Sequence, residues 1–396
     1  MLSKKALGIN PSPTMAIDSK AKEMKSRGID VIGFGAGEPD FDTPLHIREA
    51  AIRAINEGHT RYTPAAGTPE LKEAIAAKLK TVNGLTYNPG QIVVSNGAKH
   101  SLSNVFTALL NPGDEVLIPI PYWVTYPELV SLNDGTPIPV KTAEENNLKA
   151  TPAELEKVYT DRCKALVLNS PSNPTGQIYS EQELRAIADF CCARNIYIIS
   201  DEIYESLIYG SCRHASIASF SSEAADLTIL VNGVSKSYAM TGWRIGYTAS
   251  TPDLAKVMAN IQSHQASNPN TIAQKAALAA LEGPQDCVEE MRLAFDERRR
   301  YMYDRVRSMP LLQALEPQGA FYLFVSVTEA IGRSFKGDKI YASDDFAAHL
   351  LDSRRVAVVP GTGFGSPDYI RLSFATSMDN IVEGLDRIGA FIEDLA

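Results

Sequence analysis

The sequence has no apolar run long enough to span a bilayer, no low-complexity tract, no internal repeat and no long linker. These absences argue against a membrane-spanning helix and against fibrous and repeat architectures. The opening MLSKKALGINPSP carries two lysines with no apolar stretch behind them, so we expect neither a signal peptide nor a membrane anchor. Cysteine is sparse: Cys163, Cys191, Cys192, Cys212 and Cys287 form an odd, irregular set. Two of them are adjacent inside a helical pattern. That reads as reduced thiols in a cytoplasmic protein, without a disulfide framework or a bound metal. Positive charge is also short, and a net charge of −9 disfavours nucleic acid as a partner. The one basic run, Glu297 to Arg300, lies in VEEMRLAFDERRRYMYDRV, whose charge spacing reads as the solvated face of a long helix.

At 396 residues with 44% hydrophobic residues, the chain has material for two domains. Its centre alternates short apolar, β-branched runs with helical stretches, the pattern of an α/β fold with a mostly parallel sheet. The expected strands are QIVVSN, EVLIPI, ALVLNS, IYIISD, TILVNG and WRIGYTA; the expected helices are Lys99 to Leu110, Glu181 to Arg194, Pro252 to Gln262 and Thr271 to Leu281. Residues 1 to about 45 are rich in Pro and Gly and break the alternation. The last hundred carry a long helix, then GAFYLFVSV, RVAVVPG and YIRLSFAT, which predicts an antiparallel sheet. We therefore expect residues 46–294 to form a large domain, and 1–45 with 295–396 a smaller α+β domain.

Ligands of open α/β sheets bind at the carboxyl ends of the strands. Just past those ends the sequence places Gly97, Ala98 and Lys99, then Asn173, then Asp201 and Tyr204, then Ser235 and Lys236. Together they could line one pocket. Gly33, Gly35 and Gly37 do not form a dinucleotide fingerprint, because position six is Glu38 and Pro39 and Pro44 follow where a helix should start.

The segment Gly233 to Gly246, GVSKSYAMTGWRIG, resembles the pyridoxal-phosphate attachment signature of class I and II aminotransferases. GAGEPDFDTP, RYTPAAG, PYWVTYPE, SPSNPTG, SDEIYE and YIRLSFATS are similar to the aspartate-aminotransferase-like branch of that family, in order over residues 12 to 377. The resemblance implies the fold type I of pyridoxal-phosphate-dependent transferases, with pyridoxal 5′-phosphate held as a Schiff base on Lys236. An isolated lysine would read as surface charge. In this signature its amine must be deprotonated to react, and once freed it serves as the base that moves the substrate's α-proton.

The same resemblance assigns Asp201 to the pyridine nitrogen, keeping the ring an electron sink, and Asn173 and Tyr204 to the phenolic oxygen. Without it, Asp201 could be a helix cap. Arg244 and the amides at Gly97, Ala98 and Lys99 would hold the phosphate, and Trp123 would stack on the ring. Relatives with a phosphate-binding serine three residues before the lysine differ here, where Gly233 stands. Tyr62 would reach the phosphate of a neighbouring subunit, which implies a homodimer.

For the amino acid and 2-oxo acid substrates, Arg371 would grip the α-carboxylate as a planar fork, with the Gly37 amide on the same group, and Trp123 and Asn173 beside it. Lys99, Ser12 and Thr14 are implicated in recognising a distal carboxylate; the plain alternative for Lys99 is an exposed first-turn lysine. Pro13 replaces the basic residue of some prephenate-using relatives, which favours an ordinary aspartate and 2-oxoglutarate enzyme. An aromatic, alanine or prephenate aminotransferase is the alternative. A regulatory homologue would carry a helix-turn-helix domain, which we do not expect ahead of a family pattern beginning by residue 12.

Overall fold

The computed structural model describes residues 2–10 and 13–396. After a two-residue strand, β1 (Ile32–Gly33), seven strands build the main sheet: β2 (Ile92–Ser95), β3 (Glu115–Pro119), β4 (Thr136–Val140), β5 (Cys163–Asn169), β6 (Tyr197–Asp201), β7 (Thr228–Gly233) and β8 (Gly246–Ala249). Their spatial order is β2-β8-β7-β6-β5-β3-β4. β3 to β7 pair in parallel, and β8 runs antiparallel to both β2 and β7.

The inner strands read as continuous apolar runs because helices cover both faces. Alternation along β5 divides its side chains between two cores. Ala165 and Val167 pack with Leu102, Val105 and Phe106 of the helix Ala98–Leu109. Leu166 and Leu168 pack with Leu184 and Ile187 of the helix Glu181–Arg194. Each such fully buried side chain stabilises the fold by roughly 1.5–3 kcal/mol. Glu181–Arg194 has the limits read from the sequence, because Ser180 and Glu183 form a capping box and Asn195 ends the helix in a left-handed turn. The sequence reading missed β4, whose TPIPV has two prolines. Proline cannot donate to a ladder, and β4 is tolerated because it lies at the sheet's edge.

The C-terminal part adds β9 (Gln313–Ala314), β10 (Tyr322–Ser326), a hairpin of β11 (Ser334–Phe335) and β12 (Asp338–Lys339), then β13 (Val356–Ala357), β14 (Val359–Pro360) and β15 (Tyr369–Ser373). β14-β15-β10-β9 is an antiparallel sheet. β1 pairs in parallel with β13. Ile32 and Phe34 share a core with Phe295, Phe346, Phe374 and Phe391, so the early segment packs against the end of the chain.

The basic run corrects an expectation. Of its three arginines only Arg300 is exposed; Arg298 pairs with Asp40, and Arg299 is 5% exposed, held by Asp296, Glu316 and the Pro317 carbonyl. The helix Asp286–Arg307 buries Phe295, Arg299, Met302 and Val306 at four-, three- and four-residue spacing. Arg299 thus lies on the apolar stripe, where a charge requires partners. Among the described residues, no helix is long and apolar enough to cross a membrane.

Candidate active site

A cavity of about 380 Å³ opens at the carboxyl ends of β5, β6 and β7 and reaches β10 and β15 of the antiparallel sheet. Asp201 closes β6; Asn173 follows the end of β5 by four residues, and Lys236 follows the end of β7 by three. Neighbouring parallel strands therefore deliver the three side chains side by side.

Asp201 is 3% exposed. Burial pushes its carboxyl up to about 6, against the opposing pull of Tyr126 and the Ile203 amide. The Tyr126 hydroxyl donates to it at 2.7 Å. No helix begins at Glu202, so Asp201 is not a helix cap. Burial brings the Lys236 amine down to about 8, Glu38 resists, and Arg371 and Arg244 add to the lowering. The amine donates to the Gly37 carbonyl. A lysine and an aspartate displaced toward each other in one cleft make an acid–base site.

Arg371, on β15, is 2% exposed. Its guanidinium donates to the Asn173 side chain at 2.9 Å and to the Gly35 carbonyl at 3.0 Å, and stands 4.2 Å over the Tyr322 ring. Its Nε has no partner, and among the described residues no carboxylate pairs with it. A buried guanidinium without a counter-charge is a binding position for an anion.

A second anion position lies at the start of the helix Ala98–Leu109, whose first amides have no acceptor within the helix. Gly97 has φ +85° there, and a β-carbon on it would fall 2.3 Å from Nη2 of Arg244. Only glycine lets that guanidinium sit against the turn. A β-carbon at Gly246 would come within 2.2 Å of the Ala98 amide nitrogen. Arg244 itself has φ 58°, in the left-handed region. Lys99 stands at the mouth, 4.9 Å from the Trp123 ring, its pKa lowered by partial desolvation and by Arg244.

The cavity thus brings together Lys236, Asp201, Tyr204, Asn173, Trp123, Arg244, Arg371, Gly37, Ala98 and Lys99, with Gly97 behind Arg244. Tyr62 is outside it and 88% exposed. Ser12 and the side chain of Thr14 lie outside the described residues. Sequence reading missed Glu38, Tyr126, Asn169, Thr241 and Tyr322 as lining residues. Tyr126 had a signal, since it follows Trp123 by three residues within PYWVTYPE; Tyr322 had only its place in an apolar strand. At Gly233 a β-carbon would meet the Ile245 carbonyl at 2.8 Å, so no side chain fits; Ser235 and Thr241 are the hydroxyl residues that line the cavity, with the Thr241 hydroxyl donated to Glu38.

The chain is 51% identical over 392 residues to an aspartate aminotransferase from Geobacillus stearothermophilus, covering 99% of each. It is 45% identical to an aspartate/prephenate aminotransferase from Nitrosomonas europaea, again over 99% of each. The crystal structure of an aspartate aminotransferase from Rhizobium meliloti superposes with a TM-score of 0.97 at 40% identity over the whole of both chains. That of the Thermus thermophilus enzyme with maleate superposes at 0.93, also with 40% identity, over 99% of each chain. The pattern of the family Aminotransferase class I and II matches residues 29–388, and the chain belongs to that family.

Proposed function

We propose that the protein is an aspartate aminotransferase that holds pyridoxal 5′-phosphate on Lys236 and moves the amino group of L-aspartate to 2-oxoglutarate in a ping-pong reaction. The observation that carries this reading is the meeting of Lys236, Asp201 and Arg371 in one cavity. The residues fit the cofactor. Asp201 is a buried carboxylate short of positive charge, Arg244 lies against the helix start where only glycine at position 97 leaves it room, a pairing of guanidinium and free amides suited to a phosphate, and Trp123 lines the same cavity.

When bound, the cofactor supplies an electron sink for the pair left behind as the substrate's Cα–H bond breaks. The chain's own groups do the rest. Asp201 would hold the proton of the ring nitrogen, and Asn173 and Tyr204 would hydrogen-bond the phenolic oxygen. Lys236 carries the proton between carbons, and an amine near 8 has a usable neutral fraction at neutral pH. Arg371 takes the α-carboxylate in its fork with the Gly37 amide across from it, and Lys99 takes the distal carboxylate. Tyr62 completes the phosphate site of a second protomer, so we read the enzyme as a cytoplasmic homodimer. Residues 46–294 would be its large domain, and 1–45 with 295–396 its small one.

Half-reaction rates over a panel of amino acids test the donor. Aspartate should react fastest, and Lys99→Ala should lower its kcat/KM about 10- to 100-fold while alanine and phenylalanine change little. Slow conversion of aspartate relative to phenylalanine or alanine would reverse the assignment. Prephenate belongs in the panel because of the Nitrosomonas relative.

A further inference from the structure

Tyr322 is among the cavity's lining residues, yet neither acid–base chemistry nor charge assigns it a task. It is 1% exposed and opens β10, while Tyr204 follows β6, so a contact between the two joins both sheets. Their hydroxyls are 3.0 Å apart and their rings meet edge to face, 5.9 Å between centroids. The Tyr322 ring also carries the Arg371 guanidinium at 4.2 Å. The Phe321 ring packs against it as well, 4.7 Å between centroids.

We propose that Tyr322 is a positioning residue that couples the two halves of the site: its ring holds the Arg371 fork ready for the substrate carboxylate, and its hydroxyl holds Tyr204. The proposal rests on the cofactor reading given above. Either hydroxyl can donate in the shared bond. Once Tyr204 donates to the phenolic oxygen of a bound cofactor, however, the bond persists only with Tyr322 as donor to Tyr204. At 4% and 1% exposed the two groups are poorly placed to replace each other with water, and a donor behind Tyr204 makes it a stronger donor in front. That favours the ionised phenolic oxygen and lowers the proton affinity of the neighbouring lysine nitrogen. The ring acts separately, through a desolvated cation–π contact with an arginine that has few other supports.

Two variants of the cofactor-loaded enzyme separate these roles. Tyr322→Phe keeps the ring and removes the hydroxyl. The pH midpoint of the bound cofactor's absorbance should rise by roughly 0.2–0.7 unit, while the dissociation constant of succinate, an unreactive dicarboxylate, stays within about twofold. Tyr322→Leu removes both, and succinate should bind about tenfold more weakly. An unshifted midpoint in the Phe variant overturns the hydroxyl's role; succinate binding by the Leu variant at wild-type strength overturns the ring's. The Phe substitution is nearly isosteric, so the test survives if the Leu variant does not fold. A wild-type protein that takes up no colour contradicts the cofactor reading itself, a result distinct from a coloured wild type with an unshifted variant.

Discussion

Asp201 and Glu202 are adjacent, both carboxylates, and both nearly inaccessible, at 3% and 1% exposed. Their surroundings differ completely. Glu202 accepts from Ser200 at 2.9 Å and Ser216 at 2.7 Å and pairs with His214 at 2.8 Å. Its neighbour Glu205 accepts from Lys78, from Asn83 at 2.6 Å and from Asn232 at 2.8 Å. Desolvation alone would raise the Glu205 carboxyl, but Lys78 and His214 outweigh it and hold the pKa below the usual range. In His214 desolvation acts downward, and the two glutamates reverse it. Glu202, Glu205 and His214 lie close enough together to hold a metal ion. Yet every carboxylate oxygen there already has a donor, so the cluster is closed.

Asp201 has Tyr126 and one amide, and a pKa of about 6. One backbone turn thus carries a compensated network beside an uncompensated acid. The lesson is that burial of charge does not mark a site; burial without compensation does, because a ligand then supplies what the protein withholds.

The comparison can be broken from either side. The largest effect belongs to the closed cluster: Glu205→Ala leaves Lys78 without its acid and should destabilise the protein by about 3–5 kcal/mol. Urea unfolding measures it, with the cofactor's absorbance midpoint unmoved; a loss under about 1 kcal/mol would mean the network contributes little. A smaller effect, of opposite sign, belongs to Asp201. Its folded pKa of about 6 lies above the ordinary aspartate value of 3.8, so the folded state binds more protons between those limits and stability falls as pH rises through that window. Above pH 6 the cofactor-free wild type bears the full penalty. Asp201→Asn should therefore stabilise the cofactor-free protein by about 1–3 kcal/mol at pH 7, with the gain vanishing near pH 4, while activity falls. No gain at pH 7 would place Asp201 among the compensated carboxylates.

Much of this was legible in the sequence for local reasons. Six apolar, β-branched runs became strands of one sheet, although WRIGYTA enters it only at Gly246, and Asn173, Asp201 and Lys236 could be placed at strand ends by counting. What sequence could not show is contact between distant segments. Tyr322 meets Tyr204 across 118 positions, and Thr241 donates to Glu38 across 203. Arg299 was misread because charge spacing describes a helix surface without saying which face another element covers. β4 was missed because its prolines argue against a strand everywhere except an edge.

Sodium borohydride reduction of the yellow enzyme, followed by peptide mapping, tests the central claim most directly. One reduced cofactor adduct per chain is expected, on Lys236, whose amine burial has made ready to react at ordinary pH. An adduct on any other lysine, or no adduct from a coloured protein, would contradict it.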